Sequence, residues 1–434
     1  MKAIIQAGGK GTRLRNITKD EIPKPMVPIL GKPLLQWQVE RLKETGITEI
    51  GFIIGHLGKV IKDYFGDGEK FGVRILYFVE EEPLGTGGGL YYLKEFVSED
   101  EDVLFLYGDV FFDIDICRME KFHVNHKAGI TAFVHPNSHP YDSDVMEVDK
   151  DECVIEILSK KVERTEWYYN LVNAALYIIN ASVIHDLTEL KKTDFEKEIL
   201  KNRIQKYNDV FGYRSSEFVK DAGTEERLLS IEKDISNGYI NKKNLKHPQK
   251  CVFLDRDGTI NKHKGLIFKE EDFELIDDVA RAVKMINCSE YLVICITNQP
   301  VVARGLCEIE DVNRIHKKME TLLGQGGAYL DDIIYCPHHP DKGFPEENPI
   351  YKVECDCRKP KIGMLLKMAE KYHISLQESW FIGDTTVDIM TGINAGMHTI
   401  LVHTGECGKD KKYDVSAEYE ADTIVDAIKI ITER

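Results

Sequence analysis

The chain has 434 residues, of which 43% are hydrophobic and 30% are charged, and its 57 basic against 73 acidic residues give a net charge of −16. This length predicts two globular domains, since single domains usually contain roughly 100–200 residues. The acidic balance argues against nonspecific binding to nucleic acid or anionic lipid, and no segment approaches the roughly 20 apolar residues that span a bilayer. We therefore expect neither nucleic acid nor a membrane as a partner.

The N-terminal sequence MKAIIQAGGKGTRL has one short apolar run followed by glycines. It lacks the longer apolar segment and small-residue cleavage site of a secretory signal, so we expect a cytoplasmic protein. In that reducing compartment the ten cysteines favour thiols and metal ligands over disulfides. The sequence carries no signal for an oligomeric state.

Short β-branched runs alternate with amphipathic stretches along the first half: KAIIQAG, PLLQWQVERLKETG, EIGFIIGH, VRILYFVE and DVLFLYGD. The same alternation restarts at CVFLDRDG and continues to SWFIGD. This pattern predicts two Rossmann-like α/β domains. The polar sequence ISNGYINKKNLKHPQK breaks the periodicity between them. We predict an N-terminal domain over 1–238, a linker over 239–249 and a C-terminal domain over 250–434.

A glycine-rich turn, QAGGKGTRL, follows the first predicted strand. Its glycines would let backbone N–H groups approach phosphates, while Arg13 supplies positive charge. Such a turn alone is a weak signal, and a plain tight turn is the alternative. Lys24 strengthens it, because Pro23 and Pro25 hold this lysine just after the turn, ahead of a helix predicted from about Pro33.

These motifs, together with EPLGTGG, YGD and VKDAGT further along, resemble the sugar nucleotidyltransferases over roughly residues 1–235. The resemblance implies attack of a sugar 1-phosphate on the α-phosphorus of a nucleoside triphosphate, with release of pyrophosphate. Arg13 and Lys24 would neutralise charge and align that attack. The nucleotide-binding residues implied in this way are Gly8, Gly9, Gly11, Thr12, Arg13, Lys24, Gly85, Thr86 and Asp109.

The same resemblance implies a magnesium ion and a sugar site in the N-terminal domain. Asp109 and Asp221 would hold the Mg²⁺ that bridges the nucleotide and sugar phosphates. Asn173, in LVNAALYII, would contact a sugar hydroxyl, while Lys160 or Lys161 would hold the sugar phosphate. The two alanines after Asn173 replace glycines of the usual family pattern.

Two carboxylates follow the strand CVFL of the second half. Asp255 ends this strand and Asp257 follows two residues later, so both side chains point the same way at the edge where open α/β sheets bind ligands. Asp255 would attack phosphorus, and Asp257 would protonate the leaving oxygen and later activate water. Asp384, after the apolar FIG, would complete a magnesium site with these two carboxylates. Asp388 would orient the site or, equally, cap a helix.

Two further loops supply polar groups at the same edge. Thr297 and Asn298 end the run ICITN and would hold phosphate oxygens, and Lys359 offers a point charge. The ordered set resembles the four motifs of the haloacid dehalogenase superfamily from about Cys251 to Gly405. The resemblance implies a haloacid dehalogenase-like fold and a magnesium-dependent phosphatase.

Three cysteines and a histidine form two tight pairs in this half. Cys336 and His338, with Cys355 and Cys357, make a complete tetrahedral set for a closed zinc site, and a disulfide is the main alternative. The loop DKGFPEENPIYKVE between the pairs has little to bury, so zinc would hold it in place.

The sequences CPHHPD and CDCRKPKIGM resemble the D-glycero-D-manno-heptose 1,7-bisphosphate phosphatases, and histidinol phosphatases share this zinc loop. The resemblance implies that Arg358 contacts the second phosphate of a sugar bisphosphate. The substrate-binding residues expected here are Asn298, Gln299, Arg358 and Lys359.

The activities implied for the two halves would be successive reactions, because the phosphatase would leave the sugar 1-phosphate that the transferase uses. The fusion resembles the guanylyltransferase of the GDP-heptose route, and we expect sugar phosphates and a nucleoside triphosphate as substrates. Two alternatives stay open. In the first, the N-terminal domain is a nucleotide sensor without catalytic activity. In the second, both domains are active but use another sugar phosphate with UTP or CTP.

Overall fold

The computed structural model describes residues 1–9, 14–341, 343 and 347–433. The chain forms two compact units. The first contains residues 1–135, 146–158 and 173–244, and the second contains 136–145, 159–172 and 245–434. The domain limits predicted at 238 and 250 stay a prediction.

The strands up to residue 244 are β1 (Lys2–Gln6), β2 (Pro28–Ile29), β3 (Lys32–Pro33), β4 (Glu49–Ile54), β5 (Arg74–Val79), β6 (Asp102–Tyr107), β7 (Val110–Asp113), β8 (Ile130–His135), β9 (Val145–Val148), β10 (Val154–Leu158), β11 (Val172–Asn180), β12 (Val210–Arg214) and β13 (Phe218–Asp221). The helices are α1 (Arg15–Thr18), α2 (Leu34–Glu44), α3 (Gly58–Phe65), α4 (Ile116–His126), α5 (Ala181–His185), α6 (Lys201–Lys206), α7 (Glu225–Ser236) and α8 (Tyr239–Lys243).

The main sheet of this part has the order β10-β9-β11-β6-β1-β4-β5, and β8 pairs with both β11 and β12. The central strand β1 is parallel to β4 and β6, and both faces of this strand are buried, as is usual for parallel strands covered by helices. β7 and β13 form a separate antiparallel pair. Gly8 and Gly9 therefore follow the carboxyl end of the central strand.

The second unit continues with β14 (Lys250–Leu254), β15 (Tyr291–Asn298), β16 (Asp332–Cys336), β17 (Trp380–Gly383), β18 (His398–Val402) and β19 (Tyr419–Ala421). Its helices are α9 (Val279–Asn287), α10 (Ile309–Gln325), α11 (Gly363–Tyr372), α12 (Thr386–Asn394) and α13 (Ile424–Thr432). The strands form a parallel sheet in the order β16-β15-β14-β17-β18-β19. The predicted α/β class is confirmed for both halves.

Alternation along β14 explains how this sheet is buried on both faces. Val252 and Leu254 pack into a cluster with residues of α9, α10 and α13, whereas Cys251 and Phe253 pack into a cluster with residues of α11. Successive strand residues point to opposite faces, so one apolar run serves two layers. None of the helices in the described part of the chain is long and apolar enough to cross a membrane.

Two neighbouring leucines of α11 test this layer. Leu365 is fully buried and Leu366 is 52% exposed. Leu365→Ala should lower the free energy of unfolding of the second unit by about 2–5 kcal/mol, because it removes buried methyl groups and leaves a cavity. Leu366→Ala, the matched control, should change it by less than about 0.5 kcal/mol. Urea unfolding of both variants measures the difference, and equal effects would contradict the packing described.

Candidate functional site

Four loops bring polar side chains to the carboxyl edge of the second unit's sheet. Asp255 follows β14, Thr297 and Asn298 end β15, and Asp384 follows β17. Because β14 pairs in parallel with β15 and β17, these strand ends lie side by side. Lys359 reaches the same place from the loop that precedes α11. The structure thus brings together the residues predicted from the strand ends.

Asp255, Asp384 and Asp388 form a group of carboxylates whose oxygens lie within 4.8 Å of one another. Asp255 is 8% exposed, and Asp384 and Asp388 are fully buried. Burial raises the pKa of Asp255 and of Asp384, and the negative charge of Asp388 raises both further. Buried like charges are costly unless cations balance them. A cation beside these three carboxylates would therefore stabilise them.

The Asp384 carboxylate offers a free ligand atom. Its Oδ2 accepts a hydrogen bond from the Glu406 backbone N–H at 2.6 Å, while its Oδ1 is buried without a hydrogen-bond partner among the described residues. A side chain on Gly258 or Gly405 would run into this carboxylate, so both glycines keep the space open. Hard carboxylate oxygens with an open position fit Mg²⁺.

Lys359 supplies one positive charge to this group. Its Nζ lies 2.8 Å from Asp255 Oδ1 and 2.6 Å from Asp388 Oδ1, and it donates to the Ile296 carbonyl at 3.1 Å. Burial lowers the pKa of Lys359, but the two carboxylates more than offset this and raise it above the usual range. Lys359 therefore stays charged, and one lysine against three carboxylates leaves net negative charge for a metal ion to balance.

Asn298 and Asp388 hold this lysine in place. Asn298 Oδ1 accepts from the Lys359 backbone N–H at 3.0 Å, and Asn298 Nδ2 donates to its carbonyl at 3.2 Å. Asp388 Oδ2 accepts from the Thr385 N–H and hydroxyl, in a capping box that begins α12. Both interpretations of Asp388 therefore apply, because one oxygen caps the helix and the other orients Lys359.

The Asp257 carboxylate lies outside the metal-binding group. Arg256 Nη2 donates to Asp257 Oδ1 at 3.0 Å and to Oδ2 at 2.9 Å. Gln299 donates to Oδ2 at 2.8 Å and Asn261 to Oδ1 at 3.1 Å. The structure thus places Gln299, predicted to bind substrate, against Asp257 and Thr297 Oγ1, the latter at 3.0 Å. A metal bond from the Asp257 side chain stays a prediction.

Arg256 is a site residue that the sequence analysis missed. Its side chain is fully buried, and its Nη1 lies 3.3 Å from Nε2 of His316 on α10. Burial, with the charge of Arg256, lowers the pKa of His316 well below its usual value, so His316 is neutral and accepts this bond. The sequence offered one signal for Arg256, its place between Asp255 and Asp257 directly after a buried strand, where a charged side chain needs charged or polar partners.

The predicted zinc ligands lie together at the end of β16 and in the loops that follow it. Their sulfur atoms are 3.1–3.5 Å apart, and His338 Nδ1 lies 3.3 Å from Cys357 Sγ and 3.7 Å from Cys336 Sγ. A zinc ion with Zn–S bonds of about 2.3 Å has tetrahedral edges of about 3.8 Å, somewhat longer than these sulfur–sulfur distances, so the ligand atoms are near enough to one another to share one ion. No disulfide joins the cysteines in the described part of the chain. Arg358, next to Cys357, donates to the His338 carbonyl at 3.0 Å.

In the first unit, Lys24 forms an ion pair with Asp109. Gly8 lies close to Glu80 and to the Gly55 backbone, where a side chain would clash. Gly9 has open space around it. Gly11, Thr12 and Arg13, three of the predicted nucleotide-binding residues, lie outside the described residues.

The two predicted magnesium ligands of this unit lie at the β7–β13 pair, since Asp109 directly precedes β7 and Asp221 ends β13. Asp221 is opposite Val110 in the register, and the Ala222 N–H donates to the Asp109 carbonyl at 2.8 Å. The backbones at Asp109 and Asp221 are therefore adjacent. Each carboxylate has a separate cation as partner, since Asp221 pairs with Arg227 and Asp109 with Lys24.

The loop carrying Gly85 and Thr86 is fixed by the segment that begins the π-helix Phe195–Leu200. Gly85 has a φ of +80°, where glycine is favoured, and Thr86 Oγ1 accepts from the Phe195 N–H at 2.8 Å. The hydrogen bond and the glycine conformation thus fix the backbone at Gly85 and Thr86.

Asn173 is oriented by a hydrogen-bonded network that the sequence did not indicate. Asn173 Nδ2 donates to Tyr177 Oη at 2.7 Å, and the hydroxyls of Tyr177 and Tyr107 donate to Glu196 Oε1 at 3.3 and 2.6 Å. Burial raises the pKa of Glu196. Lys160 and Lys161, the predicted phosphate contacts, are exposed.

Comparison with known families agrees with this geometry. Residues 2–238, more than half of the chain, match the family described as nucleotidyl transferase, and residues 356–429 match the family described as HAD-hydrolase-like. Both resemblances expected from the motifs are confirmed.

Individual relatives divide the chain in the same way. A D-glycero-β-D-manno-heptose-1,7-bisphosphate 7-phosphatase from Haemophilus ducreyi is 35% identical over 182 residues, covering 42% of this chain and 94% of the relative. A D-glycero-α-D-manno-heptose 1-phosphate guanylyltransferase from Campylobacter jejuni is 37% identical over 202 residues, covering 46% and 86%. A solved D,D-heptose 1,7-bisphosphate phosphatase from B. bronchiseptica, in complex with magnesium and phosphate, has 28% identity and a TM-score of 0.38, covering 43% of this chain and 99% of that one.

The contact between Arg256 and Asp257 can be tested by a conservative change. Arg256→Lys keeps the charge but loses the fork that holds both carboxylate oxygens. We expect kcat for phosphate release to fall about tenfold or more, because Asp257 loses its orientation. Arg281→Lys, at an exposed position of α9, is the control. A kcat for Arg256→Lys equal to that of the control would show that Arg256 does not position Asp257.

Proposed function

Since the chain belongs to the nucleotidyl transferase family in its N-terminal part and to the D-glycero-D-manno-heptose-1,7-bisphosphate 7-phosphatases in its C-terminal part, we propose that it is a bifunctional enzyme of nucleotide-activated heptose synthesis. It is a phosphatase and a sugar-1-phosphate nucleotidyltransferase. The phosphatase removes the 7-phosphate of D-glycero-D-manno-heptose 1,7-bisphosphate, and the transferase joins GMP from GTP to the remaining 1-phosphate. The observation that carries the phosphatase half is the buried group of Asp255, Asp384 and Asp388 around Lys359.

The phosphatase reaction proceeds in two displacements at phosphorus. An Asp255 oxygen bonds to the 7-phosphorus while the bond from phosphorus to the sugar oxygen breaks, and Asp257 gives its proton to that oxygen. Asp257 then removes a proton from a water molecule, which attacks the aspartyl phosphate and releases inorganic phosphate. Lys359 balances charge on the phosphoryl oxygens, and Thr297 with Asn298 lies beside them.

Magnesium fits the phosphatase site. Asp255 and Asp384 would hold Mg²⁺, whose charge offsets that of the carboxylates and the phosphate. The unpartnered Oδ1 of Asp384 supports this assignment. Asp388 then serves through Lys359, because both of its oxygens are engaged with Lys359 and Thr385.

Arg358 supports a sugar bisphosphate as the substrate. It lies next to the catalytic Lys359 in the chain, and its bond to the His338 carbonyl ties it to the cysteine-rich loops. A guanidinium held in this way suits a second phosphate group. The 1-phosphate would be bound there while the 7-phosphate is cleaved.

In the transferase reaction, an oxygen of the heptose 1-phosphate bonds to the α-phosphorus of GTP and pyrophosphate leaves. Lys24, with Arg13 from the glycine-rich turn, balances the phosphate charge, and Gly8, Gly9, Gly11 and Thr12 provide backbone donors. Asp109 and Asp221 would hold the magnesium ion of this site. Asn173, oriented by Tyr177, binds the sugar, and Gly85 and Thr86 border the base.

The two reactions use one anomer. Neither hydrolysis at C7 nor attack by the 1-phosphate breaks a bond to C1, so the anomeric configuration passes through both steps unchanged. The transferase relative is named for the α anomer and the phosphatase relative for the β anomer. We assign the α-bisphosphate as substrate and GDP-D-glycero-α-D-manno-heptose as product, because the transferase acts last and its anomer is that of the product; turnover of the β-bisphosphate alone would replace this assignment. Cysteines without disulfides support a cytoplasmic location.

Two substitutions separate the activities. Asp255→Asn should abolish phosphate release and leave pyrophosphate release from GTP and heptose 1-phosphate within twofold, because asparagine is a poor nucleophile and the residue lies in the phosphatase site only. Lys24→Met should do the reverse. Asp277→Asn, an exposed aspartate of the second unit, is the control.

Loss of both activities in Asp255→Asn would argue against separate sites. GTP binding without pyrophosphate release in the wild type would support a nucleotide sensor. Release with UTP or CTP, or with another sugar 1-phosphate, in a substrate panel would replace GTP or the heptose in the assignment.

We propose zinc for the site of Cys336, His338, Cys355 and Cys357. The purified protein should contain about one equivalent of zinc per chain, because three thiolates and one imidazole complete the coordination. Cys357→Ser should lose most of this zinc and lower the melting temperature, whereas Cys288→Ser, at an exposed cysteine, should keep it. Elemental analysis of folded protein measures the content, and a zinc-free wild type would refute the assignment.

A further inference from the structure

Glu196 is a partly buried carboxylate of the first unit to which the two proposed reactions assign no role. It belongs to the π-helix Phe195–Leu200, and π-helical turns are rare and often lie at functional sites. The fully buried rings of Phe105, Tyr177 and Phe195 pack together beside it, with their centres 4.8–6.2 Å apart. A carboxylate beside such rings is costly unless it is hydrogen-bonded, so its partners indicate its role.

One oxygen of Glu196 accepts hydrogen bonds from two tyrosines. Tyr107 Oη donates to Glu196 Oε1 at 2.6 Å, and Tyr177 Oη donates to the same atom at 3.3 Å. Burial raises the pKa of Tyr107 well above its usual value, so this hydroxyl keeps its proton and donates it. Burial also raises the pKa of Glu196, and the hydrogen bonds from Tyr107 and Tyr177 oppose that rise. The two hydroxyls therefore stabilise the carboxylate where it lies.

Tyr177 connects Glu196 to Asn173, the proposed sugar contact. A tyrosine hydroxyl has one hydrogen, and because Tyr177 donates it to Glu196, its oxygen accepts from Asn173 Nδ2 at 2.7 Å. This contact determines which end of the Asn173 amide is the nitrogen. Asn173 Oδ1 accordingly accepts from the Ala175 N–H at 3.2 Å. The second N–H of Asn173 Nδ2 is thereby fixed in direction, and it is the group that would donate to a sugar hydroxyl.

The backbone next to Asn173 is strained. Ala175, within β11, has a φ of +56°, a conformation that a residue with a Cβ atom adopts only at a cost. Such strain persists where the surrounding contacts enforce it, and it is concentrated at binding and active sites. Here the Asn173 side chain accepts the N–H of the strained residue. The amide of Asn173 is therefore fixed at both of its polar atoms, by Tyr177 and by Ala175.

We propose that Glu196 is a positioning residue for the binding of the sugar 1-phosphate, and that it acts through Tyr177 on Asn173. With Glu196 in place, the Tyr177 hydroxyl presents its oxygen to Asn173, and the amide has one orientation before the sugar arrives. Without Glu196, this hydroxyl can donate to Asn173 instead, and the amide can turn over. Ordering it during binding would then cost affinity. The proposal rests on the proposed function, since it deepens the role of Asn173 in the transferase reaction.

The test removes the two hydrogen-bonding groups one at a time in the full chain. Tyr177→Phe removes only the hydroxyl. Glu196→Met removes the acceptor at similar length, whereas Glu196→Gln keeps an oxygen there. Pyrophosphate release is measured against heptose 1-phosphate at saturating GTP, and against GTP at saturating heptose 1-phosphate. Tyr207→Phe and Glu189→Met, at exposed positions of the same unit, are the matched controls.

We expect Tyr177→Phe and Glu196→Met each to raise KM for heptose 1-phosphate about fivefold, the effect of losing a hydrogen bond. KM for GTP should stay within about twofold, because the backbone of Phe195, and not the Glu196 side chain, holds Thr86. Glu196→Gln and both controls should resemble the wild type. A misfolded variant would lose GTP turnover as well, and the other variant then decides. An unchanged KM for the sugar phosphate in both variants would overturn the proposal.

A double-mutant cycle tests whether Tyr177 acts through Asn173. In an Asn173→Ala background, Tyr177→Phe should raise KM for the sugar phosphate no further, because the group that it orients is gone. A merely structural role would give the same factor with and without Asn173, and such additivity would overturn the proposal. An unchanged KM in Asn173→Ala alone would overturn it too, since Asn173 would then not contact the sugar.

The wild type separates failure of this proposal from failure of the proposed function. Pyrophosphate release by the wild type, with KM unchanged in Tyr177→Phe and Glu196→Met, would overturn the positioning role alone. A wild type that releases no pyrophosphate with GTP and any sugar 1-phosphate would refute the transferase reaction and this role with it. If another sugar 1-phosphate is turned over in place of the heptose, the same variants measured with that sugar decide the role of Glu196.

Discussion

Three buried carboxylates meet beyond the ends of β14 and β17, and two of them, Asp255 and Asp388, form ion pairs with one buried lysine, Lys359. Asp255, Asp384 and Asp388 around Lys359 carry more negative charge than the lysine balances, and such an arrangement is stable only with a further cation or a protonated carboxyl group. The parallel sheet is what brings these groups together, because adjacent strands end at the same edge. A metal ion that balances this excess would, together with Lys359, also balance the negative charge of the phosphate oxygens.

Around this group, each supporting residue limits how another can move. Asp388 holds Lys359 with one oxygen and begins α12 with the other. Arg256 holds Asp257, and His316 of α10 in turn contacts Arg256. A few residues further along α10, Glu320 and Thr321 accept hydrogen bonds from the backbone N–H groups of Asn170 and Tyr168. One helix thus supports the proposed acid–base residue of the phosphatase and the segment 159–172, which belongs to the same unit.

The sequence predicted the residues that strand ends and local motifs specify. Asp255 and Asp384 follow from apolar runs that stop at polar residues, Lys359 from the order of the motifs, and the cysteine spacing led to the four ligands now found together. Arg256 was missed because its partners, Asp257 apart, are distant in the chain. The contacts of Glu320 and Thr321 with the backbone of Asn170 and Tyr168 were missed for the same reason, since about 150 residues separate these partners and neither periodicity nor spacing encodes such pairs.

The central claim is that one chain carries out two successive reactions on one sugar. The most direct measurement is to incubate the full chain with D-glycero-α-D-manno-heptose 1,7-bisphosphate, GTP and Mg²⁺ and to follow the products by mass spectrometry. The account predicts GDP-heptose, with one phosphate and one pyrophosphate released for each molecule formed. Accumulation of heptose 1-phosphate with GTP left intact, or of no dephosphorylated sugar at all, would contradict it.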